Sequence, residues 1–385
     1  MTLIGFERTK MHLVIVQDYL RMGGTERQSL FLADYARRQG HAVTLLLFRP
    51  GGRLEKTARE GPYATDCLQR RDTGLPLYAP GLLRRLRVLN PDAVLCMGRT
   101  ANCYAGFMQR ALPDAAVIAT LRTGKMLFPL HSWSLKVVRA VLVNSNWWKR
   151  RMLERGFSPD RVQVVHNSVL LEHSPEECAN LRKELRQKAN LGEDACIFLS
   201  VASFRSGKRH QDLLRLFAET RRLHPEVDAR LWLVGDGPER VRCQRWAAEN
   251  GLGTRVRFWG YQNDPLRFYA AGDVAVSASR EDSLPNFLIE SQAAGLPIIA
   301  YDFRGVGECC LPQVTGSIVP MGDSLRFVTE MVDLQRKGDR WQQMRAQAPA
   351  FARERFSPLR QAEEKMAFIQ RLITASSPSV VSFSA

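Results

Sequence analysis

The sequence has 385 residues, of which 45% are hydrophobic and 24% charged, and a formal net charge of +16. A chain of this length is too long for one average domain and predicts two, each large enough to bury a core without disulfides. The eight cysteines form no C-x-x-C pair, which argues against a zinc site and a disulfide framework and favours a reducing, cytoplasmic location.

Charge and hydropathy also restrict the partners. No segment reaches the roughly 18 unbroken apolar residues of a spanning helix, so we expect a soluble protein or a peripheral one on the inner face of the plasma membrane. The excess of positive charge predicts attraction to polyanions, including anionic lipid surfaces. Because the chain carries no recognisable nucleic-acid-binding signature, we expect no nucleic acid partner.

The first half of the chain alternates apolar runs with amphipathic segments, which predicts β-α-β repetition and a parallel sheet covered by helices. The predicted strands lie in MHLVIV, HAVTLLLF, DAVLCM, AAVIATL and AVLVNS. A polar segment at 168–192 predicts the interdomain linker. We therefore expect a first domain at 11–180.

Two glycines, Gly23 and Gly24, follow the first predicted strand and open the first predicted helix. Taken alone, the pattern fits an ordinary turn between a strand and a helix, with Thr25 as the helix N-cap.

The second half repeats the α/β alternation, with predicted strands in CIFLSVAS, ARLWLVG, RVRFWG, DVAVSAS and PIIAY. We expect a second doubly wound domain at 190–355, a helix at 356–374 and a disordered polar tail at 375–385. In such open sheets ligands bind beyond the carboxyl ends of the strands. The loops after these strands are therefore the candidate site.

Two cations, Arg205 and Lys208, stand three residues apart on a glycine-containing loop between a strand and a helix. Together with the helix N-terminus they can converge on a diphosphate, although a solvated basic loop would have the same composition. After the next strand, Gly235 and Gly237 flank a tight turn that could contact a nucleotide or serve the architecture alone. The turn is neither a Walker motif nor a dinucleotide fingerprint.

The segment from Ser279 to Glu290 reads S-R-E-D-S-L-P-N-F-L-I-E and joins a strand to a helix through an acidic loop. From Asp282 through Ile299 it resembles the E-G-x-P-N-x-x-x-E motif of family 4 glycosyltransferases, with the small-residue helix and apolar strand that follow it. The Gly-Gly loop, the basic loop and the stretch around Asn167 and Ser168 stand in the order that the family requires.

The resemblance implies roles for these residues. Glu290 would accept hydrogen bonds from the ribose diol, while a loop acid would bind hydroxyls of the donor sugar. Spacing favours Asp282 for the loop acid, with Glu281 as the alternative. Further donor contacts are implied for Gly23, Gly24, Arg205, Lys208, Gly235, Gly237, Tyr261 and the helix-start amides of Asn286, Phe287 and Leu288.

Three positions depart from the family's pattern. Ser283 replaces the usual glycine of the acid loop, and Ser168 replaces the frequent glycine after Asn167. Arg122 stands where many members have a histidine near the donor sugar, so the role of that histidine does not transfer. Arg122 would instead be available to an anionic group on donor or acceptor.

The resemblance implies a GT-B fold, two Rossmann-like domains facing across a cleft, with the C-terminal helix crossing back to the first. It also implies transfer of a sugar, with retention of configuration, from a nucleotide diphosphate sugar to a glycan or lipid-linked acceptor. UDP is favoured over GDP as the nucleotide of the donor. The product would belong to lipopolysaccharide, capsule or exopolysaccharide biosynthesis. We expect no metal, no cofactor and no protein nucleophile. The alternatives are a GT-B nucleotide-sugar epimerase or hydrolase and a noncatalytic basic binding module.

The basic, tryptophan-rich segments HSWSLKVVRA and NSNWWKRRML, in the first half of the chain, predict the surface that meets anionic lipids. Both combine arginine or lysine with aromatic side chains, a composition typical of interfacial helices.

Overall fold

The computed structural model describes residues 10–21, 23–122, 129–169 and 174–375, and these form two compact units. The first unit contains the described residues of Met1–Arg122, Met126–His166 and Pro358–Ala385, and the second those of Asn167–Ser357. Each unit is built on one parallel sheet with helices, which confirms the predicted fold class of two Rossmann-like doubly wound domains.

The first unit has a seven-stranded sheet in the order β3-β2-β1-β4-β5-β6-β7. Its elements are β1 His12–Gln17, α1 Gly24–Arg38, β2 Ala42–Leu47, α2 Glu55–Arg59, β3 Ala64–Cys67, α3 Leu82–Leu89, β4 Ala93–Cys96, α4 Arg99–Ala111, β5 Ala116–Leu121, α5 Pro129–Val137, β6 Ala140–Val143, α6 Asn146–Leu153 and β7 Val162–Val164. The central strands are apolar throughout because helices cover both faces of the sheet.

The second unit has a six-stranded parallel sheet in the order β10-β9-β8-β11-β12-β13. Its elements are α7 Pro175–Lys188, β8 Cys196–Val201, α8 His210–Leu223, β9 Ala229–Val234, α9 Arg240–Glu249, β10 Val256–Gly260, α10 Leu266–Ala271, β11 Val274–Ser277, α11 Asn286–Ala293, β12 Ile298–Tyr301, β13 Gly316–Val319, α12 Ser324–Leu334 and α13 Asp339–Arg355. The strand order reverses direction at β8 and β11.

The segment predicted as a linker contains helix α7, which belongs to the second unit. Arg182 and Arg186 on this helix reach Asp273, with N–O distances of 2.9 and 3.1 Å, and Asp273 is fully buried at the start of β11. Because a buried carboxylate needs its cations, this polar helix stays on the second sheet. The N-terminal part of the first unit therefore reaches to His166, whereas the predicted boundary lies at 180.

The last helix, α14, spans Pro358–Thr374 and lies in the first unit. Its Met366, Phe368 and Ile369 belong to the same buried cluster as Leu13 and Ile15 of β1. The predicted tail lies outside the described residues beyond Ala375. Within the described ranges, no helix has the length and apolar character needed to cross a bilayer.

Candidate active site

The loops that follow β8 and β11 meet where the strand order of the second sheet reverses, the position at which open α/β sheets bind ligands. The basic loop (205–208) follows β8, and the acid loop (279–285) follows β11. The backbone N–H of Arg280 donates to the carbonyl of Gly207 at 2.8 Å, which ties the two loops together. The two motifs identified in the sequence are thus parts of one site.

Each cation of the basic loop pairs with one acid. The ammonium of Lys208 donates to both carboxylate oxygens of Asp282, at 2.6 and 2.7 Å, and both side chains are largely buried. Arg205 lies 3.0 Å from Glu281 but is 43% exposed, and this contact lacks the alignment of a hydrogen bond. A diphosphate bound by these cations must therefore compete with the two acids, and more strongly with Asp282.

The glycine turn after β9 supports the basic loop. Gly235 and Gly237 have φ angles of +138° and +150°. A Cβ on Gly235 would lie 2.0 Å from the carbonyl oxygen of Ala202, and a Cβ on Gly237 would lie 2.5 Å from that of Phe204. The N–H of Phe204 donates to the carbonyl of Asp236 at 2.9 Å. Only glycine permits this close approach, so both glycines have an architectural role. Direct contact with the nucleotide stays a prediction.

Glu290 lies on helix α11, whose first turn begins at Asn286. The hydroxyl of the buried Tyr269 donates to Glu290 Oε2 at 2.6 Å, and its ring stacks on Phe287 with a centroid distance of 6.2 Å. The first N–H groups of a helix have no intrahelical acceptor and can bind an anion. The N–H of Leu288 already has an acceptor, because it donates to the carbonyl of Pro285 at 3.1 Å.

Asn167 holds the acid loop in place. Its buried amide donates to the carbonyl of Leu284 at 3.0 Å and to the side-chain oxygen of Asn286 at 2.7 Å. The family motif marks Asn167 in the sequence, but its partners more than a hundred residues away carry no local signal. Tyr269 also escaped the sequence analysis, because nothing in the α10 sequence points to a carboxylate 21 residues later.

His210, at the start of α8, supports the basic loop from the core side. Its ring stacks on Phe204 at a centroid distance of 4.0 Å and an interplanar angle of 12°, and both side chains are buried. Burial lowers the pKa of His210 to about 4, and the charge of Lys208 acts in the same direction. The imidazole is therefore neutral at pH 7 and acts as an aromatic packing group.

In the first unit, Gly23 precedes α1 and Gly24 is its first residue. A Cβ on Gly23 would lie 2.3 Å from a carboxylate oxygen of Glu26, so the buried acid requires this glycine. Burial raises the pKa of the Glu26 carboxyl. Burial also lowers the pKa of the Arg122 guanidinium to about 10, and the negative charge of Glu26 partly opposes this second shift. A role of these groups in donor binding stays a prediction.

Tyr261 follows β10 and is 53% exposed, so its ring is accessible, and its contact with the nucleotide stays a prediction. Across the described part of the chain, no group of three or more His, Cys, Asp and Glu side chains is arranged to hold a metal ion.

Comparison with known proteins agrees with this geometry. The model described as "Glycosyltransferase Family 4" matches residues 22–173, and that described as "Glycosyl transferases group 1" matches 195–337. The lipopolysaccharide core biosynthesis glycosyltransferase LpsD of Rhizobium meliloti (strain 1021) is 27% identical, covering 79% of this chain and 82% of the relative.

Solved structures show the same fold. A glycosyltransferase from Rickettsia africae ESF-5 has a TM-score of 0.79 at 19% identity, covering 95% of this chain and 99% of the other. Anabaena Alr3699/HepE in complex with UDP has a TM-score of 0.78 at 17% identity, covering 94% and 100%. Since the two family models together span most of the sequence, the chain belongs to the family 4 glycosyltransferases of the GT-B fold.

Proposed function

We propose that this glycosyltransferase transfers a sugar from a UDP-sugar to a glycan or lipid-linked acceptor in the assembly of lipopolysaccharide or a related polysaccharide. The relative LpsD is named for lipopolysaccharide core biosynthesis, and HepE was solved with UDP. GDP is the alternative base. The observation that carries the proposal is the junction of the basic loop, the acid loop and α11 in the second unit.

In this proposal, the leaving diphosphate gains negative charge as the glycosidic bond breaks. Arg205, Lys208 and the first amides of α11 stabilise that charge, and loss of one preorganised contact of this kind lowers the rate roughly a hundredfold, about 3 kcal/mol. Glu290 binds the ribose and is oriented by Tyr269. Asp282 binds hydroxyls of the donor sugar once it exchanges its bond to Lys208.

We further propose retention of configuration without a protein nucleophile, the leaving phosphate taking the acceptor's proton, and catalysis without a metal. Two cations at the phosphate site can supply the charge that a metal supplies elsewhere. Proton NMR of the first-formed product gives the anomeric configuration. Activity that disappears with chelator and returns with magnesium would contradict metal independence.

Thermal stabilisation by UDP, GDP and their sugars tests the donor site. We expect one nucleotide to raise the melting temperature of the wild type, and Glu290→Gln to reduce this shift because the ribose loses its charged acceptor. Glu249→Gln, an exposed position on α9, is the matched control. Absence of any shift for the wild type would contradict the proposed donor site.

Transfer is preferred to the two alternatives because the named relative and the family models are glycosyltransferases. An epimerase or hydrolase would release nucleotide at the same rate with and without acceptor. Mass analysis of the products with a panel of glycan acceptors therefore separates these reactions. A noncatalytic module would bind a polyanion in a salt-sensitive manner and turn over no nucleotide sugar.

The proposed location is the cytoplasm, with peripheral association at the inner face of the membrane. The net charge of +16 supports this part of the proposal, because anionic lipids attract clustered basic side chains.

A further inference from the structure

Residues 70–81 of the first unit, here called the leucine loop, expose a group of apolar side chains. Leu75, Leu77 and Tyr78 are 59%, 54% and 48% exposed, and Phe107 on the neighbouring α4 is 40% exposed. The hydroxyl of Tyr104, one turn before Phe107, donates to the carbonyl of Leu77, which places the loop beside α4. Clustered apolar exposure of this kind on a folded surface marks an interaction site.

Side-chain hydrogen bonds hold the backbone of the leucine loop. The side chain of Gln69, which is 4% exposed, donates to the carbonyl of Tyr78 at 2.6 Å and accepts from the N–H and hydroxyl of Thr73 at 3.2 and 2.9 Å. The bond from Tyr104 holds Leu77. The loop therefore presents its apolar side chains outward on a fixed backbone.

Arginines flank the apolar side chains of the leucine loop in the sequence, both in the loop and on the exposed face of α3. Four of them are exposed and have no acidic partner among the described residues, namely Arg70, Arg71, Arg84 and Arg87. Between 68 and 90 the sequence has one acid, Asp72, and Arg49 pairs with it at 2.9 Å. The segment 70–90 thus combines exposed apolar side chains with an excess of exposed arginines.

The helices that the sequence predicted to meet lipid, α5 and α6, bury part of their apolar surface. On α6, Trp148 and Met152 are one helical turn apart and are 5% and 0% exposed. On α5, Leu135 is buried and Trp133 packs against Phe107 with a ring distance of 4.8 Å. Much of the apolar surface of these helices is therefore buried, with Leu130 of α5 36% exposed, and the leucine loop exposes a larger apolar group.

We propose that the leucine loop and the outer face of α3 form a docking surface for an anionic lipid bilayer. Leu75, Leu77 and Tyr78 enter the headgroup region, and Arg84 and Arg87 contact lipid phosphates. Leucine and tyrosine with flanking arginines are the side chains that bind the membrane interface. This inference rests on the peripheral association proposed above and assigns it to a specific surface.

Sedimentation of the full chain with phosphatidylcholine vesicles, with and without phosphatidylglycerol, tests the proposal. We expect the wild type to sediment only when phosphatidylglycerol is present. Leu75→Asp combined with Leu77→Asp should lower the partition coefficient about tenfold or more. Arg84→Gln and Arg87→Gln should each lower it about fivefold.

The matched control is Val241→Asp combined with Leu325→Asp, which changes two exposed apolar side chains of the second unit, 65% and 77% exposed. Equal partitioning of the leucine-loop variant and this control would overturn the proposal. The proposal would also be overturned if the wild type did not sediment with vesicles that contain phosphatidylglycerol. A third contrary outcome is that the wild type binds single-stranded RNA more tightly than these vesicles and that the leucine substitutions leave the RNA binding unchanged.

Circular dichroism verifies folding of each variant, and Leu77→Gln replaces the double variant if that protein does not fold. UDP binding is measured on the same samples. Intact UDP binding with lost vesicle binding supports this surface, whereas intact vesicle binding with no response to nucleotide refutes only the proposed donor site.

Discussion

Neutralising the acid that faces Arg205 should strengthen nucleotide binding. In Glu281→Gln the exposed guanidinium loses a partner 3.0 Å away, and the bound diphosphate loses a nearby like charge. Coulomb's law at 3.0 Å gives about 1.4 kcal/mol in a water-like dielectric, and exposed pairs retain about 0.5 to 1 kcal/mol. We therefore expect UDP to bind Glu281→Gln about two- to fivefold more tightly, as measured by calorimetry.

The companion variant Asp282→Asn separates the roles of the two acids. It also frees a cation, Lys208, but removes the proposed contact with the donor sugar, so UDP should bind more tightly while turnover falls about a hundredfold. If Glu281 is the sugar contact instead, the loss of turnover will occur in Glu281→Gln. Added salt should reduce the gain in affinity. Unchanged or weaker UDP binding in both variants would refute the competition between acids and diphosphate.

Three further changes test the supports of the site. Gly237→Ala introduces a Cβ 2.5 Å from the carbonyl of Phe204, so we expect urea unfolding to show a loss of about 2 kcal/mol or more. His210→Phe keeps an aromatic ring stacked on Phe204 but removes the group that can be protonated. The pKa of His210 is about 4 in the folded protein and 6.5 in the unfolded chain, so the wild type loses stability as the pH falls from 6.5 to 4. At pH 4 the free energy of unfolding of the variant, measured by urea titration, should therefore exceed that of the wild type by up to about 3 kcal/mol. Tyr269→Phe removes the hydrogen bond from the tyrosine hydroxyl to Glu290 and should weaken UDP binding about fivefold, as measured by calorimetry. Binding of 2′-deoxy-UDP should be weakened much less. Equal losses for the two nucleotides would contradict the role of Glu290 in binding the ribose.

The sequence predicted most of the central strands because both faces of a parallel sheet are covered, which leaves long apolar runs such as that of β5. The short β3, β7 and β13 escaped prediction. The strand β3 reads ATDC and is only partly buried, and β7 has three residues. Strands at or near a sheet edge need less apolar surface, so their composition resembles that of loops.

The site was predictable where chemistry depends on local spacing and unpredictable where it depends on tertiary partners. The distance in sequence between Asp282 and Glu290 indicated the acid loop and its helix. The pairing of Lys208 with Asp282 joins residues 74 positions apart and depends on how two loops meet at the strand reversal. Likewise, the polar composition of α7 predicted a linker because its partner, Asp273, lies far along the chain.

The placement of α14 has a consequence for the order in which the chain folds during synthesis. The described residues of the second unit lie between Asn167 and Ser357, whereas the core of the first unit also needs Met366, Phe368 and Ile369, which follow them in the sequence. A ribosome releases these residues after those of the second unit, so the second unit can complete its core while the first still lacks part of its own. Truncation from the C-terminus should therefore damage the N-terminal unit first.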